Sequence, residues 1–387
     1  MPVVVATGYS SADDPAHGTA VAARQVREGL GGARCDLAIV FLAGDHVTAP
    51  ATVLAAIHDE LEPGELVGCA TGGLIAGGQE HEQGSGIAIW AIDVGDGAVD
   101  VFELRTRPVQ DGLALLGLPE AEAGSSAIVL LADSSHLPLE GTLRAFEEHL
   151  PGVPLIGGVP SMVPPDGRPL LRGRGATDAA AIGIRFSGVE VLPCVSQGAR
   201  PIGPELAVTA GEGGVIRELA GRPAIEALRD TVDALGSADQ ERIRHGLLLG
   251  LVVGPGRPEY GSGDFVVRGL AGADPEAGAV VVGAPVEVGQ VTQLHVRDPE
   301  TASRDFEDAL RLRRAAVGSG QVAGALAFTC NGRGHDMFGH DHHDADAIQR
   351  ELGPLPLAGM FSAGEIGPVG GRPFVHGFTA TVAVFLA

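Results

Sequence analysis

The chain contains no lysine: all 26 of its basic residues are arginine. A pyridoxal-phosphate Schiff base, a Walker A phosphate loop and a Ser–Lys hydrolase each need a lysine amine, so those chemistries are excluded. Cysteine is scarce as well. Cys35, Cys69, Cys194 and Cys330 lie far apart with no C-x-x-C pair, a pattern of free thiols in a reducing compartment rather than a disulfide framework. Long hydrophobic runs are missing: "GLLLGLVVG" at Gly246–Gly254 is among the longest, far short of the roughly 18 residues a membrane span needs. The start, "MPVVVATGYSS", lacks the basic segment of a secretory signal. There is no G-x-G-x-x-G and no G-x-S-x-G, the marks of dinucleotide binding and of the serine-hydrolase elbow. Aromatic residues make up 4%, and the one Trp, Trp90, stands in an apolar strand where core packing accounts for it.

What is present is acid and apolar mass. A net charge of −23 disfavours nucleic acid or an anionic membrane as partner. With 387 residues, 45% hydrophobic and 19% charged, the chain can bury the cores of two or three domains. The expectation is a soluble, cytoplasmic protein with no cofactor.

One pattern recurs along the chain: a short apolar strand, an amphipathic helix, a second short strand ending in Gly, a Gly-rich loop and a third strand. The first copy is "LAIVF" (Leu37–Phe41), a helix near 49–61, "LVGCATGGLIAGG" (Leu66–Gly78) and "GIAIWAI" (Gly86–Ile92). The second is "AIVLLA" (Ala127–Ala132), a helix near 139–150, "PLIGGVPSM" (Pro154–Met162) and "AAAIGIRF" (Ala179–Phe186). The third is "GALAFTC" (Gly324–Cys330), a helix near 344–352, "PLAGMFSAGEIGP" (Pro356–Pro368) and "FTATVAVFL" (Phe378–Leu386). From mid-strand to the Gly, Ile39 to Gly68 is 29 positions, Val129 to Gly157 is 28 and Ala327 to Gly359 is 32. A fourth region, Gly246–Leu270, keeps the strands without the helix. These signals predict an α/β fold with mixed β-sheets covered by helices, in two similar halves built from strand-helix-strand-strand modules. The segment 86–105 reads as a hairpin with its turn at Gly95–Gly97. The Gly- and Pro-rich stretch Gln197–Pro223 places a boundary near its end, giving domains 1–221 and 222–387.

The densest chemistry is "FTCNGRGHDMFGHDHHDAD", Phe328–Asp346, with one Cys, one Arg, four His and four Asp in nineteen residues. Ligands of α/β units sit beyond the carboxyl ends of strands, and three Gly-rich segments occupy that position: "GCATGGLIAGG", "CNGRGHD" and "GMFSAGEIGP".

The C-terminal residues carry a resemblance. "FTCNGRG" (Phe328–Gly334), "HDA" (His343–Ala345), "LGPLPLAGMFSAGEIGPVGGRPF" (Leu352–Phe374) and "HGFTATVAVF" (His376–Phe385) closely resemble the C-terminal FIST domain. "GYSSADDP" (Gly8–Pro15), "CDLAIVF" (Cys35–Phe41) and "LVGCATGGLIAGG" look like the N-terminal FIST domain. The resemblance implies a signalling module that senses a small ligand, with amino acids the suggested class. In many members it is fused to histidine kinase, cyclic-nucleotide or chemotaxis outputs. No stretch here matches an output, so a stand-alone sensor with an unknown downstream signalling protein is expected.

Three readings of the dense stretch compete. His340, His342 and His343 offer imidazole to a metal, but adjacent His342 and His343 point in different directions and no H-E-x-x-H occurs. Asp344 suits an N-cap for the helix ending at Leu352 better than a metal. Cys330 ends a strand with Arg333 and His335 nearby, a setting for a cysteine enzyme, but a nucleophile also needs a base and an oxyanion hole. The ligand loop explains more residues: Asn331, Gly332, Arg333 and Gly334 from one segment, Ser362, Gly364 and Glu365 from another. Arg333 suits a carboxylate and Glu365 an ammonium, the pair a zwitterion needs. An Arg333–Glu365 salt bridge with no ligand is the structural alternative. Sensor therefore ranks above enzyme.

Overall fold

The computed structural model describes residues 1–110, 112–122, 124–243, 246–254, 256–257 and 260–387. These fall into two compact units, Met1–Val195 with Glu307–Ala387, and Ser196–Phe306.

The three modules lie in the first unit, and all three pair their strands alike. In each, the first and second strands run parallel and the third lies antiparallel beside the first. Leu37–Ala43, Glu65–Ala70 and Gly86–Asp93 form one set. Ser125–Ala132, Leu155–Pro160 and Ala181–Ser187 form the next, and Val322–Cys330, Leu357–Val369 and Ala380–Leu386 the last. Helices Pro50–Leu61, Leu139–His149 and His343–Leu352 make the crossovers.

The recurring glycine has a steric cause. Gly68, Gly157 and Gly359 stand opposite Val40, Leu130 and Ala327. A Cβ on these glycines would come 2.1, 2.0 and 1.9 Å from the partner's carbonyl oxygen, so any larger residue would force the parallel strands apart.

The first module joins Val4–Ser10, Leu170–Arg172 and Gly175–Ala176 in a six-stranded sheet. The other two share a twelve-stranded sheet, because Leu155–Pro160 pairs antiparallel with Leu357–Val369. Every residue of Leu37–Ala43 is buried, as expected of a strand covered on both faces. Val40 and Leu42 pack with Val26, Leu54 and Ile57 of the helices Pro15–Leu30 and Pro50–Leu61. Ile39 and Phe41 face the other way, into a core shared with Val129, Phe328 and Met360 of the second sheet. Ile128 and Leu130 of that sheet cover Leu143 and Phe146. The unit is therefore four layers, helix–sheet–sheet–helix, and Trp90 lies fully buried between the two sheets against Phe385.

The second unit is a seven-stranded sheet whose Arg200–Glu212 strand pairs with both Val291–Val296 and Val215–Leu219, so the sheet curls back on itself.

One local expectation is corrected. The segment 86–105 is no hairpin: Gly86–Asp93 pairs in the first sheet and Ala98–Val109 in the second, and the turn closed by Gly97 N–H on Val94 O passes the chain between them. Gln197–Pro223 is strand for most of its length. In the region Gly246–Leu270, Leu248–Val252 and Phe265–Asp274 pair directly, while Pro255, Pro258 and Glu259 lie outside the described residues.

Candidate functional site

The site lies at the carboxyl ends of the parallel strands Val322–Cys330 and Leu357–Val369. Cys330 ends the first and stands opposite Ser362 on the second. Glu365 was expected in a loop but lies inside the strand, opposite Gly158 on one side and His376 on the other. Gly364 pairs with Val159 and Ser362 with Pro160, so Ala363 is an extra, bulged residue. The bulge puts Ser362 and Glu365, three positions apart, on one face of the sheet, with Gly158 and Cys330.

Glu365 is fully buried. Its Oε2 accepts hydrogen bonds from the Thr379 N–H (3.1 Å) and hydroxyl (2.6 Å), while Oε1 has no hydrogen-bond partner among the described residues. Burial pushes the carboxyl up to about 8, against the Thr379 bonds, the Arg333 charge and the Cys330 thiol, which favour the ionised form. The Ser362 hydroxyl is also fully buried without a partner among the described residues. It packs on Gly158, where a Cβ would come 2.6 Å from Oγ.

Arg333 stands beside this pair, 1% exposed. Its Nε and Nη2 donate to Asp344 Oδ2 and Oδ1 at 2.8 and 2.7 Å. The salt-bridge partner is thus Asp344, not Glu365, whose ionised form Arg333 favours only through its charge. Thr329 also donates to Asp344, and His343 Nδ1 lies 2.8 Å from it. Burial alone would raise the Asp344 carboxyl; the Arg333 charge and hydrogen bonds, with His343, hold it well below the usual range. The guanidinium lies over the Phe338 ring, which stacks on His343 at 3.4 Å.

Asp344 was expected to cap its helix, and it does not. The cap residue is His342, with φ 64° and no side-chain cap bond. The first-turn N–H groups are satisfied from far away instead: Glu80 Oε1 accepts from Asp344 N–H (2.8 Å) and Ala345 N–H (2.9 Å). Burial and the Asp344 charge raise Glu80 to about 8 despite these two N–H donors. Glu82, two residues on, accepts from His335 N–H at 2.8 Å and packs against Gly334.

The remaining expected residues scatter. Asn331 is exposed, and its backbone N–H donates to Ser362 O. Gly332 N–H reaches Cys330 Sγ at 3.5 Å, and Gly332 lies under the Phe378 ring. His340 is exposed, His342 Nδ1 accepts from Glu80 N–H and His343 turns to Asp344. No three His, Cys, Asp or Glu side chains among the described residues are arranged to hold a metal ion. Sequence reasoning missed Glu80, Thr329 and Thr379. Nothing local marks those three, whereas His46, His136 and Arg333 each stand six positions after the residue opposite the module glycine.

Comparison with known sequences matches residues 36–222 to the FIST N domain and 224–368 to the FIST C domain. An uncharacterized protein of Mycobacterium tuberculosis strain H37Rv is 38% identical over 383 residues, covering 99% of both chains. One of Mycobacterium bovis is 37% identical over 385 residues, covering 99% of this chain and 98% of its own. The chain belongs to the FIST family. FIST domains are a proposed sensory module, and a sensory role accords with membership. The candidate site draws on both matches: Glu80 and Gly158 fall in the FIST N domain, and Arg333, Asp344 and Glu365 in the FIST C domain. No helix among the described residues is long and apolar enough to cross a membrane.

Proposed function

We propose that this FIST protein is a cytoplasmic sensor of a small ligand, with amino acids as the class. The ligand is met by Asn331, Gly332, Arg333, Gly334, Ser362, Gly364 and Glu365, and the signal passes to a separate protein rather than to nucleic acid or a membrane. Glu365 carries this reading: a fully buried carboxyl group keeps one oxygen without a partner. Leaving such a group unsatisfied costs about 1–3 kcal/mol, and folds retain few of them without a use. The Arg333–Asp344 pair supports a route outward, since Asp344 heads the His343–Leu352 helix and Glu80 holds its first turn. A thermal-shift screen of the twenty amino acids and related metabolites tests the reading. A ligand at 100-fold over its Kd should add about 2.7 kcal/mol to stability, and a screen in which no compound raises the melting temperature would exclude the ligand class.

A second reading rests on the Gly332 N–H aimed at Cys330 Sγ at 3.5 Å. In a cysteine-dependent enzyme Glu365 would serve as its base. Cys330→Ala separates the two: a sensor keeps its ligand affinity, whereas an enzyme loses turnover.

A further inference from the structure

Two fully buried side chains, Ser362 and Glu365, share one face of the Leu357–Val369 strand, and each has an oxygen with no hydrogen-bond partner among the described residues. We propose that Ser362 Oγ and Glu365 Oε1 form the subsite for the ligand's ammonium group, which enters in exchange for a proton. This deepens the sensor reading and rests on it for the ligand's size and class.

The chemistry selects an ammonium. Both oxygens offer lone pairs, and R–NH3+ brings three donors and no acceptor. A carboxylate or phosphate placed there would keep Glu365 protonated, with its O–H and the Ser362 hydroxyl as donors, and would release no proton. The surrounding charges can balance one added positive charge. Arg333, the nearest cation, has its Nε and Nη2 edge matched by Asp344, so its repulsion of a second cation is offset. The other titratable groups facing Glu365 are the Cys330 thiol and His376, paired across the neighbouring strand with its Nε2 turned to Gly367 O. From the opposite strand comes only Gly158.

The exchange balances: a buried –COOH and an ammonium from solvent become –COO⁻ paired with R–NH3+, and one proton leaves to solvent. Burial holds the carboxyl well above the usual carboxylate range, so near neutral pH it carries that proton and binding should release close to one proton. Entry requires the Gly377–Thr379 segment to shift, because Thr379 holds the carboxylate through two hydrogen bonds and Phe378 covers Gly332.

The test is calorimetric titration in buffers of different ionisation enthalpy, using three probe sets: the twenty L-amino acids, alkylammonium ions from methyl to butyl, and the matching carboxylic acids without the amine. The expected result is binding of ammonium-bearing probes with release of close to one proton at pH 7. Glu365→Gln should abolish that release and weaken binding tenfold or more. Ser362→Ala removes a hydroxyl without a partner, so its melting temperature should hold while ammonium affinity falls several-fold. Amine-free acids binding as tightly as amino acids would overturn the subsite, as would proton release unchanged in Glu365→Gln. Alkylammonium binding that depends on Glu365, with no amino acid binding, would uphold the subsite and exclude the ligand class. Amino-acid binding that ignores Glu365 would do the reverse, and binding by neither set would overturn both.

Discussion

Replacing Arg333 with Met keeps most of the side-chain volume and removes the guanidinium from beneath Phe338. What remains is the Asp344 carboxylate, 2% exposed, with Thr329 and His343 as its side-chain neighbours. Attraction within the original pair offsets the desolvation of both charges. Removing one partner leaves the other's desolvation uncompensated, a cost of about 3–5 kcal/mol. For a unit of this size each kcal/mol shifts the midpoint by about 2 °C, so Arg333→Met should lower the melting temperature by about 6–10 °C. Adding Asp344→Asn should recover most of that loss, because the stranded charge disappears with it. The assay is urea unfolding of the two single variants and the double variant, read as a thermodynamic cycle. A loss below about 1 kcal/mol for Arg333→Met, or purely additive effects, would refute the buried-pair account.

The pH profile follows from Glu80 and Glu365, both raised to about 8 from 4.5. Between those values the folded chain holds protons that the unfolded chain has lost, so their contribution is full below about 4.5 and fades as pH rises to 8. Asp344, held low, acts in the opposite sense and loses its contribution only in acid. Melting temperature should therefore fall from pH 5 to pH 8.5, and Glu80→Gln or Glu365→Gln should flatten that fall. Gly359→Ala places a Cβ 1.9 Å from Ala327 O and should cost about 3 kcal/mol, the upper end of overpacking effects, measured by chemical denaturation. Asp14→Ala removes the acceptor of the His17 N–H at 2.7 Å and should cost about 1 kcal/mol on the same measurement.

The sequence by itself determined the modules. Apolar strands of five to nine residues, helices of period 3.6 and a glycine at nearly constant spacing are local signals, and each glycine records a clash with a carbonyl across a parallel pair. It also located the chemistry, since Arg333 and Asp344 lie eleven positions apart in one stretch. Partner choice was another matter. Asp344 and Glu365 were equally eligible for Arg333 by charge, and only the turn from Cys330 into the His343–Leu352 helix delivered Asp344 in bidentate geometry.

The tertiary structure decided what depends on pairing over long distances. Turn residues at Gly95–Gly97 announce that the chain reverses, but not that its two arms enter different sheets; that follows from which strand edges are already taken by Val4–Ser10 and Leu37–Ala43. The Ala363 bulge arises from antiparallel pairing with Leu155–Pro160, some 200 residues earlier, as in the Ser161–Phe361 contact. Without that bulge a period of two would send Ser362 and Glu365 to opposite faces. Glu80 caps a helix from 264 positions away. Hydrogen-bond satisfaction is a constraint on space rather than on sequence, so a residue that meets it from across the fold leaves no local trace.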